Sequence, residues 1–131
     1  MPRIEGEFDI VRALQPNLDL GGGVQAMHVR FDKRFHGALD ATSIVQMLGF
    51  MTATEGSGAY VAIERIEGRL DGREGGFVVH HNGRMDRGER SLRVSVVPDS
   101  GTGALVGLRG EMTIEVVGDR HRYAFEYELP G

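Results

Sequence analysis

The chain has no cysteine, which excludes a disulfide framework and thiolate chemistry. No apolar run approaches the roughly 20 residues of a membrane span. The opening residues MPRIEGEFDI have no apolar stretch of a secretory leader. A cytoplasmic protein without membrane contact is the expectation. Proline is scarce, 4 residues against 20 glycines, and there is no low-complexity run. That balance suits many short strands joined by tight turns. Lysine is nearly missing: Lys33 stands alone beside 14 arginines, which a G/C-rich genome explains. Basic charge is also in deficit, with a formal net charge of −4, so nucleic acid is not expected as the main partner.

What is present reads as one domain, residues 1–131, long enough to bury a core unaided. Ile4, Gly6, Phe8 and Ile10 alternate with Glu5, Glu7 and Asp9, the period of two of a half-buried strand. It is expected to end at Gln15-Pro16-Asn17, with Leu18 to Gly23 as a loop. Val24 to Phe35 is a second strand, with Met27, Val29, Phe31, Lys33 and Phe35 on one face. Gly37 to Ala41 reads as a turn. Thr42 to Thr52 is apolar on both faces. The spacing of Met47, Leu48 and Met51 leaves a helix open there, whereas its length and neighbours favour a strand. Ala59 to Arg69 also has apolar residues on both faces, Tyr60, Ala62 and Ile66 against Val61 and Ile63. Two adjacent strands with apolar outer faces predict a covered surface, most simply a homo-oligomer interface through 42–52 and 59–69.

Gly76 to Met85 follows the turn Asp71 to Gly75 and places Phe77, Val79, His81 and Met85 on one face. The remaining strands carry Leu92, Val94 and Val96, then Met112, Ile114 and Val116, then Tyr123, Phe125, Tyr127 and Leu129 inward. Pro98 to Gly107 is a glycine-rich loop. Eight strands with short connections predict an all-β protein, a sandwich or an eight-stranded antiparallel up-and-down β-barrel.

Four stretches are similar to the signatures of an uncharacterised bacterial domain family. They are Tyr60 to Gly68 (YVAIERIEG), Gly72 to Gly83 (GREGGFVVHHNG), Val97 to Gly110 (VPDSGTGALVGLRG) and the ending Tyr127 to Pro130 (YELP). The family is a domain of unknown function with an allene-oxide-cyclase-like, calycin-like barrel. The resemblance implies a closed barrel, often oligomeric, and assigns no reaction. Related barrels (plant allene oxide cyclases, dirigent-like proteins, some natural-product cyclases) fold a reactive substrate in a largely apolar lumen. The resemblance also places Gln46 where relatives often carry a glutamate, so an acid role there is lost.

In such a barrel the inward ionisable set is Lys33, Glu64 and His81, with Tyr60, Tyr123 and Tyr127. The walls expected to meet a substrate are Met27, Phe31, Phe35, Phe77, Val79 and Phe125. An ionised group among apolar walls is costly unless paired, so a Lys33–Glu64 or Glu64–His81 pair is expected. One reading is a purely structural pair. The other is catalytic: burial raises the Glu64 pKa and makes it an acid or base, His81 relays protons, and Tyr60 or Tyr127 stabilises oxyanion charge. Lys33, if desolvated, is a lesser candidate for a Schiff-base nucleophile. His80 and His81 face opposite sides of a strand, and no cluster has metal-ligand spacing, so no metal and no other cofactor is expected. Gly101, Gly103 and Gly107 lack the Lys-Ser/Thr of a phosphate loop.

The leading expectation is a cofactor-independent isomerase or cyclase acting on a hydrophobic small molecule. A non-catalytic carrier and a structural barrel with a filled interior remain open beside it.

Overall fold

Eight strands follow in chain order: β1 (Arg3–Gly21), β2 (Val24–Phe35), β3 (Leu39–Met51), β4 (Gly58–Leu70), β5 (Arg73–Asp86), β6 (Glu89–Val96), β7 (Arg109–Val117) and β8 (Arg120–Glu128). The computed structural model describes residues 2–130; Met1 and Gly131, the ends of the expected domain, lie outside the described residues. Each strand pairs antiparallel with the next, and β1 pairs with β8, which closes an up-and-down barrel. The turns follow from local chemistry. Asp71-Gly72 and Arg87-Gly88 both take positive φ at their two residues, the hairpin geometry that glycine accepts without strain. Among the described residues no helix is long and apolar enough to cross a membrane.

The sequence pattern misplaces several boundaries. β1 does not stop at Gln15 but runs to Gly21, crossing Pro16 by a register shift between Gln15 and Leu18. Leu18 to Gly21 is therefore strand rather than loop, and the turn is Gly22-Gly23. Beyond Phe8, β1 pairs only with β2, so Pro16 sits where one backbone edge is free and a missing N–H costs nothing. β3 begins at Leu39, inside the segment read as a turn, and Leu39 is buried. The helix alternative for residues 42–52 is excluded: the segment as far as Met51 is β3, held on both sides by β2 and β4. The glycine-rich loop contains a short 3-10 turn at Gly103–Leu105.

One end of the barrel is packed solid. Phe35, Leu39, Ile66, Leu70, Phe77 and Phe125 fill it, each burying a side chain that stabilises by about 1.5–3 kcal/mol. The loop between β6 and β7 folds under this end as a plug. Leu105 and Leu108 are buried, Thr102 Oγ1 accepts from the Gly76 N–H at 3.0 Å, and Ser100 Oγ accepts from the Val78 N–H at 3.0 Å. The other end is looser. Inward-facing Tyr60, Phe31 and Ile114 are half-buried, and Met27, Leu92 and Val116, also expected inside, are exposed. There the wall is incomplete as well. β6 and β7 pair at only two positions, Val94–Met112 and Ser95–Glu111, leaving Glu89–Arg93 and Thr113–Val117 without partners on that side. One end of the barrel is closed by packing, and the rim at the other end is split between β6 and β7.

Outside, β3 and β4 present Ile44, Leu48, Phe50, Val61 and Ile63 to solvent, side by side across the sheet.

Candidate functional site

Alternation in four consecutive strands brings Lys33 of β2, Ser43 of β3, Glu64 of β4 and His81 of β5 to the inner face. Lys33 lies directly opposite Ser43, and Glu64 and His81 lie one diagonal step on in the ladder. Their side chains meet just above the packed floor. Lys33 Nζ is 3.2 Å from Glu64 Oε1, His81 Nε2 is 2.7 Å from the same oxygen, and Ser43 Oγ donates to Glu64 Oε2 at 2.6 Å. Glu64 is 0 % exposed. The Lys33 ammonium also lies 4.7 Å from the Phe8 ring centroid and 5.7 Å from that of Phe35. Among the described residues no buried side-chain nitrogen or oxygen lacks a partner.

The electrostatics correct one expectation. Burial does push the Glu64 carboxyl up, but the hydrogen bond from His81, the Lys33 charge and the Ser43 hydroxyl together outweigh it. Its pKa is lowered, not raised, so Glu64 is an ionised carboxylate, a base or an anchor rather than an acid. An ionised Glu64 is only an acceptor, so His81 donates through Nε2 and keeps Nδ1 for other partners. Lys33 is committed to an ion pair, which leaves the Schiff-base reading without support. Tyr60 stands above the cluster with its ring centroid 6.3 Å from that of His81. Burial and then the negative Glu64 push its phenol pKa up, so it stays a hydroxyl and a donor.

The other expected residues divide. Tyr127 is not in the cluster: its hydroxyl bonds Asp71 Oδ2 in the β4–β5 turn, at the packed end. Tyr123 is occupied there too, donating to the His36 carbonyl at 2.8 Å. Both tyrosines tie β8 to neighbouring turns. Phe35, Phe77, Val79 and Phe125 form the floor rather than a free wall; Phe77 stacks on Phe125 with centroids 5.7 Å apart. Met27 and Phe31 lie with Tyr60 in the looser half, where all three are partly exposed. Gln46 points outward and bonds His28 at 2.7 Å, so no lumen acid is missing at that position. Ser43 was not singled out from sequence, although it shares the parity of Val45; an ordinary serine in an ambiguous segment gives no signal of its own. Among the described residues no group of three or more His, Cys, Asp or Glu side chains is placed to hold a metal ion.

Residues 4–127 match the model of a family described as a protein of unknown function, DUF3224. A solved structure from Shewanella oneidensis MR-1, a protein with unknown function from the DUF3224 family, is similar to this chain at 40 % identity. The match covers 100 % of this chain and 99 % of that one, with a TM-score of 0.93. No curated protein matches the chain.

Proposed function

The chain belongs to the DUF3224 family, whose function is not established, and from that premise we propose that it is a cofactor-independent small-molecule barrel catalysing proton transfer, of the isomerase or cyclase kind, in the open half of its lumen. The observation that carries this reading is an ionic cluster, Lys33–Glu64–His81 with Ser43, in which both Glu64 oxygens are bonded, placed between a solid apolar floor and a looser, partly exposed apolar rim. A barrel needing only stability gains little from such a cluster, because replacing a buried ion pair with apolar residues is often neutral or stabilising.

His81 is the proton carrier in this reading. Nδ1 takes a proton from a carbon beside a carbonyl, and the C–H electron pair becomes the double bond of the enolate. Glu64 holds the ring through Nε2 and stabilises the imidazolium that forms. Tyr60 donates its hydroxyl to the developing oxyanion. In a β,γ-unsaturated carbonyl the enolate is a dienolate: its oxygen pair re-forms the C=O, Nδ1 returns the proton to the γ carbon, and the C=C has moved into conjugation. Glu64, with both oxygens occupied, is a positioning residue rather than a group that touches substrate.

Self-association belongs to the same proposal. Leu48, Val61 and Ile63 line a groove of about 530 Å³ with His28, Gln46, His80 and Asn82, and Ile44 and Phe50 stand exposed on the same outer face. The outer face of β2 and β4 also carries both charge signs in the pairs Arg30–Asp32 and Arg65–Glu67, which suits a second copy related by a two-fold axis.

The test is native mass spectrometry of freshly purified protein with a thermal-shift screen of apolar carbonyl, enone and polyene compounds. Compounds that stabilise are then incubated with protein in deuterium oxide. Deuterium incorporation at carbon that His81→Gln abolishes, with stabilisation retained, is the expected result. Stabilisation without incorporation moves the protein to a carrier. No bound compound and no shift across the panel sink the proposal and leave a filled structural barrel.

A further inference from the structure

We propose that the unpaired stretch between β6 and β7 is a side door, through which a slender apolar molecule with one hydrogen-bonding group reaches His81; this rests on the lumen reading above. The two strands pair only at Val94–Met112 and Ser95–Glu111, although β6 stays paired to β5 as far as Glu89 and β7 to β8 as far as Val117. Five residues on each side, about 16 Å of strand, therefore face each other without a ladder. The gap ends at an ion pair on the outer surface, Arg93 to Glu111 at 2.6 Å, which zips its base.

The lining suits an apolar traveller. Extending the register places Leu92 opposite Ile114, both on the inward parity. Leu92 is 44 % exposed although its alternation is that of a core residue, as is Val116 at 62 %. Inward apolar side chains that see solvent are what a gap in a barrel wall produces. The path inward is short. Leu92 lies opposite Gly83, and Gly83 lies opposite Tyr60. A Cβ at Gly83 would overlap the Tyr60 ring, so the ring occupies the notch that the glycine leaves. One cross-strand row below sit Val94 and His81. Tyr60 is thus the inner leaf of the door: a ring shift over Gly83 opens the way from the gap to His81.

Because the chain has no cysteine of its own, the double variant Leu92→Cys with Ile114→Cys is oxidised and the fraction that has closed one crosslink across the gap, two hydrogens lighter by intact mass, is isolated. The probe is 1-aminoanthracene, a flat neutral fluorophore, and the readout is its association rate by stopped flow. The oxidised variant is expected to bind at least tenfold more slowly than its reduced form, while wild type ignores the reductant. A control crosslink at the paired positions Glu115 and Arg122 leaves the rate unchanged. Leu92→Ala, which widens the gap, raises the rate and tests the door independently of crosslinking. Equal rates in oxidised and reduced protein, or an unchanged rate in Leu92→Ala, overturn the door and leave the lumen reading standing. Failure of wild type to bind the probe removes the lumen reading, and the door with it.

Discussion

Ser43 donates its hydroxyl to Glu64 Oε2 at 2.6 Å, on the side of the carboxylate that neither Lys33 nor His81 reaches. Removing it leaves a fully buried carboxylate oxygen without a donor. Ser43→Ala should lose about 1.5–3 kcal/mol, the worth of a hydrogen bond to a charged group, read from the urea midpoint. An unchanged midpoint means that Glu64 takes up another donor.

Glu64→Gln strands the Lys33 ammonium against the Phe8 and Phe35 rings. A loss of about 3–5 kcal/mol is expected, and Lys33→Met in the same chain should restore most of it, since the neutral Gln–Met pair leaves no buried charge without a partner. Separate, additive losses in the double-mutant cycle are the contrary result.

Acid should act through the same carboxylate. In the unfolded chain Glu64 has its ordinary pKa of 4.5, and in the folded chain a lower one. Its stabilising contribution is therefore complete above the ordinary value and is lost as pH falls through the folded one. Wild type should lose stability on acidification below about pH 4.5 more steeply than Glu64→Gln. Parallel curves refute the assignment. At the alkaline side Tyr127 behaves oppositely: burial and the bond to Asp71 push its phenol up to about 12, so its contribution holds below 10.0 and fades as pH rises through the folded value. Tyr127→Phe should remove that alkaline loss.

The plug beneath the barrel has no room at Gly101, where a Cβ would overlap the Leu105 carbonyl oxygen. Gly101→Ala must move backbone rather than a side chain, and a destabilisation of about 1–3 kcal/mol is expected by thermal melting. Gly72→Ala is a useful contrast, because open space surrounds that position and only its φ of 80° resists the substitution.

Leu48→Glu and Val61→Glu place charge on the outer face of β3 and β4, where both side chains now stand exposed. Light scattering should show a smaller particle than wild type with an unchanged melting profile of the barrel. An unchanged mass removes that face from the self-association proposal.

Alternation made most of the barrel legible, because period-two burial is local: Phe31, Lys33 and Phe35 declare one face without reference to anything distant. Glu64 and His81 were readable for the same reason, as ionisable residues on apolar faces. Tyr127 was misread because parity assigns a residue to a face but not to a height along the axis, and only the register with β7 puts it at the packed end. The direction of the Glu64 shift was illegible too. It depends on three donors from three other strands, of which Ser43 has no distinguishing pattern. β1 ran longer than its pattern because its bulge flips the parity and erases the period of two across Pro16.

Closure by β1 and β8 sets an order of events during synthesis. Arg3 pairs with Glu126, so the seam joins β1 to β8, and it cannot form until residues 120–128 have left the ribosome. Lys33, Ser43, Glu64 and His81 lie on four consecutive strands joined by hairpins, and those strands can assemble earlier. For the interval between, the nascent sheet has Phe8 and Phe35 uncovered along an open seam, and contacts this distant in sequence are slow to form. The vulnerable species for this protein is the seven-stranded sheet still waiting for Arg120–Glu128, and truncations there should aggregate rather than merely weaken.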